Sequence, residues 1–139
     1  MTLPPLILDT GMLSELARGD LDLMELVARL DEQGQPMVVS TLAVTGATLF
    51  AGKVNADLLL GICTMDSVTV AGTTTPEHGL ALAEAINRTG LEPWDAHVAA
   101  LADASICPVF TLDRARWEHP ARAFDDPLYI IEITEPPGD

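Results

Sequence analysis

Short apolar runs rich in Val and Ile alternate along this chain with longer stretches whose apolar residues recur at helical spacing. The runs lie at Leu6 to Asp9, Met37 to Ser40, Ser67 to Val70, Pro108 to Leu112 and Leu128 to Ile133. Strands alternating with helices in this way build a mostly parallel sheet covered on both faces. The expected fold is therefore α/β, a three-layer α/β/α sandwich with a central sheet of about five strands.

The intervening segments carry their own helix signals. Leu21, Leu23, Met24, Leu26, Val27 and Leu30 recur at helical spacing, with Asp22, Glu25, Arg29 and Asp31 mostly opposite and Asp20 placed as N-cap. Thr41 to Gly52 is almost wholly apolar or small, which implies burial against the sheet, and Asn55 to Met65 reads as another helix. Thr75-Pro76-Glu77 is a helix start and Gly90 a helix stop; Pro93-Trp94-Asp95 opens the next helix, Trp94 to Ala104. Leu13, Leu16, Leu23 and Leu26 form helical apolar surface that is either core or a groove for a dimer or another partner.

A chain of 139 residues, 48% hydrophobic, buries one core and not two, so residues 1–134 are read as one domain and 135–139 as a frayed tail. Seven Lys and Arg oppose 21 Asp and Glu, a formal charge of −14, which repels phosphate backbones over most of the surface. The exception is Arg114, Arg116 and Arg122, opposed only by Glu118, where a polyanion would dock if these are not simply solvated arginines. Cys63 and Cys107 lie apart in apolar stretches and read as core residues in a reducing compartment. No membrane span is evident, and a cytoplasmic location is the default expectation.

Three aspartates bear on chemistry. Asp9 ends the first strand, Asp95 opens the apolar helix and Asp113 follows the fourth strand. Asp95 and Asp113 each have a structural explanation, in the helix macrodipole and as an N-cap, whereas Asp9 sits at the carboxyl end of a central strand, where open α/β sheets place ligands. If the two strands are adjacent, the three carboxylates converge, and convergent carboxylates need a cation; oxygen-only ligands select Mg²⁺ or Mn²⁺.

With these residues in view, the chain resembles the PIN domain family, known for the toxin ribonucleases of bacterial toxin-antitoxin pairs. The resemblance rests on Leu6-Ile7-Leu8-Asp9-Thr10, Val38-Val39-Ser40, the run Trp94 to Ala102, and Val109 to Arg114. It implies a PIN-like fold and a metal-dependent endoribonuclease that cleaves RNA by metal-activated water. Asp9, Asp95 and Asp113 would be its catalytic metal ligands, Mg²⁺ or Mn²⁺ the ion, RNA the substrate, and an antitoxin protein and a second copy the partners. Thr111 falls where such proteins carry a hydroxyl in the site, and with Arg114 and Arg116 it is assigned to RNA contact.

One departure stands out: the position where PIN domains carry a helix glutamate is Gly46. Either three aspartates and water suffice without it, or the domain is catalytically degenerate and serves as a protein-binding or regulatory module. Asp103 and Glu84 are weighed as substitute carboxylates, Asp103 as an outer-sphere residue at most. Gly46→Glu is expected to raise metal affinity. In a third reading all three aspartates are structural, and each Asp→Ala then costs about 1 kcal/mol. The sign for Asp9→Asn separates these, because a real cluster is stabilised when one charge is removed. His97 is read as a satisfied or surface histidine, and Trp94 and Trp117 as packing residues or base-stacking platforms.

Overall fold

A computed structural model describes residues 3–52 and 56–133. Five strands pair in parallel: β1 (Leu6–Leu8), β2 (Met37–Ser40), β3 (Val68–Ala71), β4 (Val109–Thr111) and β5 (Ile130–Glu132). Their order across the sheet is β3-β2-β1-β4-β5. Every residue of β1 and β4 is buried, while the edge strands β3 and β5 are only half covered, as their mixed Thr69 and Glu132 anticipate. The expected three-layer sandwich is therefore present, with helices on both sides of an all-parallel sheet.

The helices are α1 (Thr10–Ala17), α2 (Leu21–Glu32), α3 (Thr41–Ala51), α4 (Ala56–Cys63), α5 (Pro76–Thr89), α6 (Pro93–Ser105) and α7 (Glu118–Ala121), with a 3-10 helix at Arg114–Trp117. Local chemistry starts and stops them. Asp20 accepts from the Leu23 amide at 3.1 Å, Thr75 accepts from the His78 amide at 3.2 Å, and Gly90 ends α5 at φ 70, a left-handed conformation suited to glycine. Pro93 opens α6, but Glu92 before it makes no side-chain cap. The third strand sits one residue later than expected and the fifth shrinks to three residues. Asn55 and the tail 135–139 lie outside the described residues.

Of the two readings of the apolar surface on α1 and α2, the structure gives core. Leu13, Leu16 and Leu23 are buried and Leu26 packs against the core half-buried, because α1 lies on α3 and α4 and turns this face inward. Cys107 is buried and Cys63 half-buried, both unpaired. Among the described residues no helix is long and apolar enough to cross a membrane.

The strand order creates one topological switch. From β1 the chain moves outward to β2 and β3, then returns to place β4 on the other side of β1. The connections leaving β1 and β4 diverge, opening a crevice at their carboxyl ends. Asp9 and Thr111 stand there.

Leu13→Ala is expected to lower unfolding stability by about 2–5 kcal/mol, as for a fully buried leucine. Leu21→Ala, at a side chain 73% exposed, should shift stability by no more than about 0.5 kcal/mol. Urea denaturation of the two variants checks this; equal effects would place Leu13 on an exposed face.

Candidate functional site

Asp9 is 2% exposed, and its carboxylate is met by three donors. One oxygen accepts from the Met12 amide at 2.8 Å, so Asp9 is the N-cap of α1. The other accepts from the Thr111 hydroxyl and, at 2.9 Å, from the Trp117 indole N–H. A buried carboxylate needs such partners, since the cost of leaving it unsatisfied exceeds that of a neutral group. Asp9 thereby ties β1, α1, β4 and the 3-10 helix together.

The other two aspartates are engaged by the same short segment. Asp113 is exposed and caps the 3-10 helix, its Oδ1 accepting from the Ala115 amide at 3.1 Å while its own amide donates to the Thr111 hydroxyl at 3.1 Å. That helix carries Arg116, whose Nη2 donates to Asp95 Oδ2 at 2.9 Å. Asp95 is 4% exposed. Burial pushes its pKa above the usual carboxylate range; the nearby Thr10 hydroxyl and Arg116 oppose that rise, and the Asp9 charge adds to it. The Thr10 and Ser14 hydroxyls are buried without a well-formed hydrogen bond to protein.

Gly46 has a steric reason. A Cβ at this position would lie 2.6 Å from Trp94 Cγ, well inside contact distance. Trp94 is held there by Phe50, whose ring meets it edge-on at 6.0 Å. The indole covers this face of α3, so a side chain introduced by Gly46→Glu would have to displace Trp94.

Asp9 and Asp113, but not Asp95, line an open cleft of about 640 Å³, together with Glu15, Asp20, Glu132 and Arg116. The cleft is acidic, yet among the described residues no group of three or more His, Cys, Asp or Glu is gathered tightly enough to hold a metal ion. Asp9 is occupied by donors, Asp95 is paired and Asp113 caps a helix. As arranged, these residues do not fit a divalent ion.

The remaining candidates are accounted for individually. Thr111 turns its hydroxyl to Asp9 and not to the surface. Arg114 donates to the Ile130 carbonyl, and its amide meets Glu132 at 2.7 Å, so it fastens β5. Arg122 is exposed. Asp103 faces a different groove beside Phe124, and Glu84 pairs with Arg88, so neither replaces the missing carboxylate. Trp117 is buried as an Asp9 donor, and Trp94 packs on Gly46 and Phe50. His97 is buried, with Nδ1 against the Ser40 hydroxyl, whose oxygen also accepts from the Ala43 amide at 3.0 Å. Burial, and the nearby His78, hold its pKa below the ordinary value. Sequence reasoning had no signal for the Arg116–Asp95 pair, whose partners stand 21 residues apart.

No family model matches the chain, and no curated protein matches it by sequence. Its structure is similar to the crystal structure of VapBC2 from Rickettsia felis bound to a DNA fragment from its promoter. The TM-score is 0.64 at 13% identity, covering 92% of this chain and 98% of that one. It is also similar to the crystal structure of PAE2754 from Pyrobaculum aerophilum, with a TM-score of 0.51 at 18% identity, covering 93% of this chain and 92% of that one. The fold is thus PIN-like. At these identities the likeness is one of fold and does not extend to residues.

Two outcomes follow from the geometry. Asp9→Asn turns an amide N–H₂ toward donors and is expected to destabilise by about 1–3 kcal/mol, whereas Asp95→Asn removes a buried charge and should leave stability unchanged or raised. Melting temperatures of the two variants without metal check this; stabilisation by Asp9→Asn would restore the repelling cluster. For His97, whose folded pKa lies below its ordinary 6.5, the neutral ring favours the fold. Stability is then full above pH 6.5 and falls as pH drops toward the depressed folded value, because the unfolded state takes up the proton first. Urea midpoints across this window should decline in the wild type and flatten in His97→Gln; parallel profiles would exclude His97.

Proposed function

We propose that this chain is a PIN-like domain of the toxin-antitoxin kind that has given up metal-dependent ribonuclease chemistry and serves as a protein-binding module. The observation that carries this reading is the Trp94 indole over Gly46. The place of the fourth carboxylate is filled by an aromatic ring, and the remaining three aspartates are spent on caps, core hydrogen bonds and an ion pair.

The partner that suits the cleft is a basic protein segment with apolar side chains. Five carboxylates line it, the chain carries −14, and Leu49 and Phe50 are 70% and 58% exposed, Phe50 lying in the groove that shares Gly11, Glu15 and Arg116 with the cleft. Opposite charge raises the encounter rate, and apolar anchors supply the affinity. A second copy is a poorer occupant of this cleft, since two chains of −14 repel.

The second reading is the Mg²⁺- or Mn²⁺-dependent endoribonuclease with Asp9, Asp95 and Asp113 as ligands and Thr111, Arg114 and Arg116 toward RNA. Its support is the acidic lining of a cleft at the switch point of a PIN-like sheet. It requires rearrangement of the Arg116 pair and of the donors on Asp9.

Calorimetric titration of Mn²⁺, paired with incubation of folded RNA, separates the two. The module reading expects no saturable binding up to millimolar Mn²⁺ and no cleavage. Saturable binding and cleavage, both lost in an Asp9→Asn, Asp95→Asn double variant, would establish the ribonuclease. A peptide rich in Arg and Leu should bind the wild type with salt-sensitive affinity and bind a Glu15→Gln, Asp20→Asn, Glu132→Gln variant at least tenfold more weakly.

A further inference from the structure

We infer that Arg116 is the resident cation of the acidic cleft, a built-in guanidinium doing for this site's carboxylates what a bound metal ion would otherwise do. The inference rests on the reading that the cleft holds no metal. Asp95 is buried within reach of the Asp9 charge, and two such carboxylates are unfavourable together unless a positive charge joins them. Arg116 supplies that charge from a side chain that is half exposed, its nitrogen 2.9 Å from Asp95. A guanidinium is suited to the task because it cannot be deprotonated and presents a planar fork to a carboxylate.

The guanidinium and the Asp9 carboxylate both lie beside Gly11, where a Cβ would be in ordinary contact with each, 3.5 Å from Arg116 Nη1 and 3.7 Å from Asp9 Oδ1. The segment that delivers Arg116 is anchored at both ends of its single turn. Asp113 caps its start, and Trp117, the next residue after Arg116, is pinned to Asp9 through its indole N–H. One run of five residues therefore satisfies all three aspartates: Asp113 by capping, Asp95 through Arg116 and Asp9 through Trp117. A flexible surface arginine would need none of this framework.

The test is a melting-temperature cycle on the whole chain, with wild type, Arg116→Ala, Asp95→Asn and the double variant, each without additive, with Mn²⁺ and with millimolar methylguanidinium. Arg116→Ala should lower the melting temperature of the wild type and leave the Asp95→Asn background unchanged, because the loss comes from stranding a buried charge. Methylguanidinium should restore the Arg116→Ala melting temperature and have no such effect on the double variant, a rescue that mere loss of packing would not give. Mn²⁺ should not raise the wild-type melting temperature. Equal losses in both backgrounds, no loss at all, absence of rescue, or Mn²⁺ stabilisation of the wild type would each overturn the inference. Should Arg116→Ala not fold, Arg116→Lys takes its place, with a smaller loss expected and the same requirement that it vanish in Asp95→Asn. RNA cleavage by the wild type would defeat the module reading and leave the cycle as measured, whereas a vanished coupling defeats only the role of Arg116.

Discussion

The site depends on one buried carboxylate that must be satisfied. Asp9 leaves β1 at its carboxyl end with almost no access to water, and a bare charge there would be prohibitive. Three donors from three different parts of the chain converge on it: the first turn of α1, the end of β4 and the 3-10 helix beyond. Meeting that requirement sets the angle at which α1 departs, holds β4 beside β1 and fixes where the following segment lies.

Charge balance explains the next layer. Asp95 is brought near Asp9 by α6, and its raised pKa records the strain of that burial. Arg116 relieves it. The pair is not a strong source of stability, since its arginine is half solvated, but removing either partner has unequal consequences: losing the carboxylate frees a surface arginine, while losing the arginine strands a buried charge. The asymmetry follows from where the two charges sit, the carboxylate buried and the guanidinium half exposed.

Steric fit supplies the third constraint. A glycine in the middle of α3 would ordinarily weaken a helix, and here it is the only residue that lets the Trp94 indole lie against the backbone. Gly46 and Trp94 are one feature seen from two elements. Phe50, one turn further along α3, completes the aromatic contact and remains largely exposed.

Much of this protein is dictated locally. The apolar runs, the caps at Asp20 and Thr75, the stop at Gly90 and the aspartates at strand ends were legible because each depends on a few neighbouring residues: period, capping chemistry and backbone freedom are short-range properties. The parallel sheet followed from the alternation of strands and helices. What the sequence alone left open were contacts between distant segments: whether α1 and α2 present a groove or fill the core, what occupies the space above Gly46, and which cation faces Asp95. Those outcomes depend on how helices separated by tens of residues pack against one sheet. Tertiary structure decided them, because burial, steric exclusion and charge pairing are properties of neighbours in space, and the chain order of Trp94 and Gly46, or of Arg116 and Asp95, does not reveal that they meet.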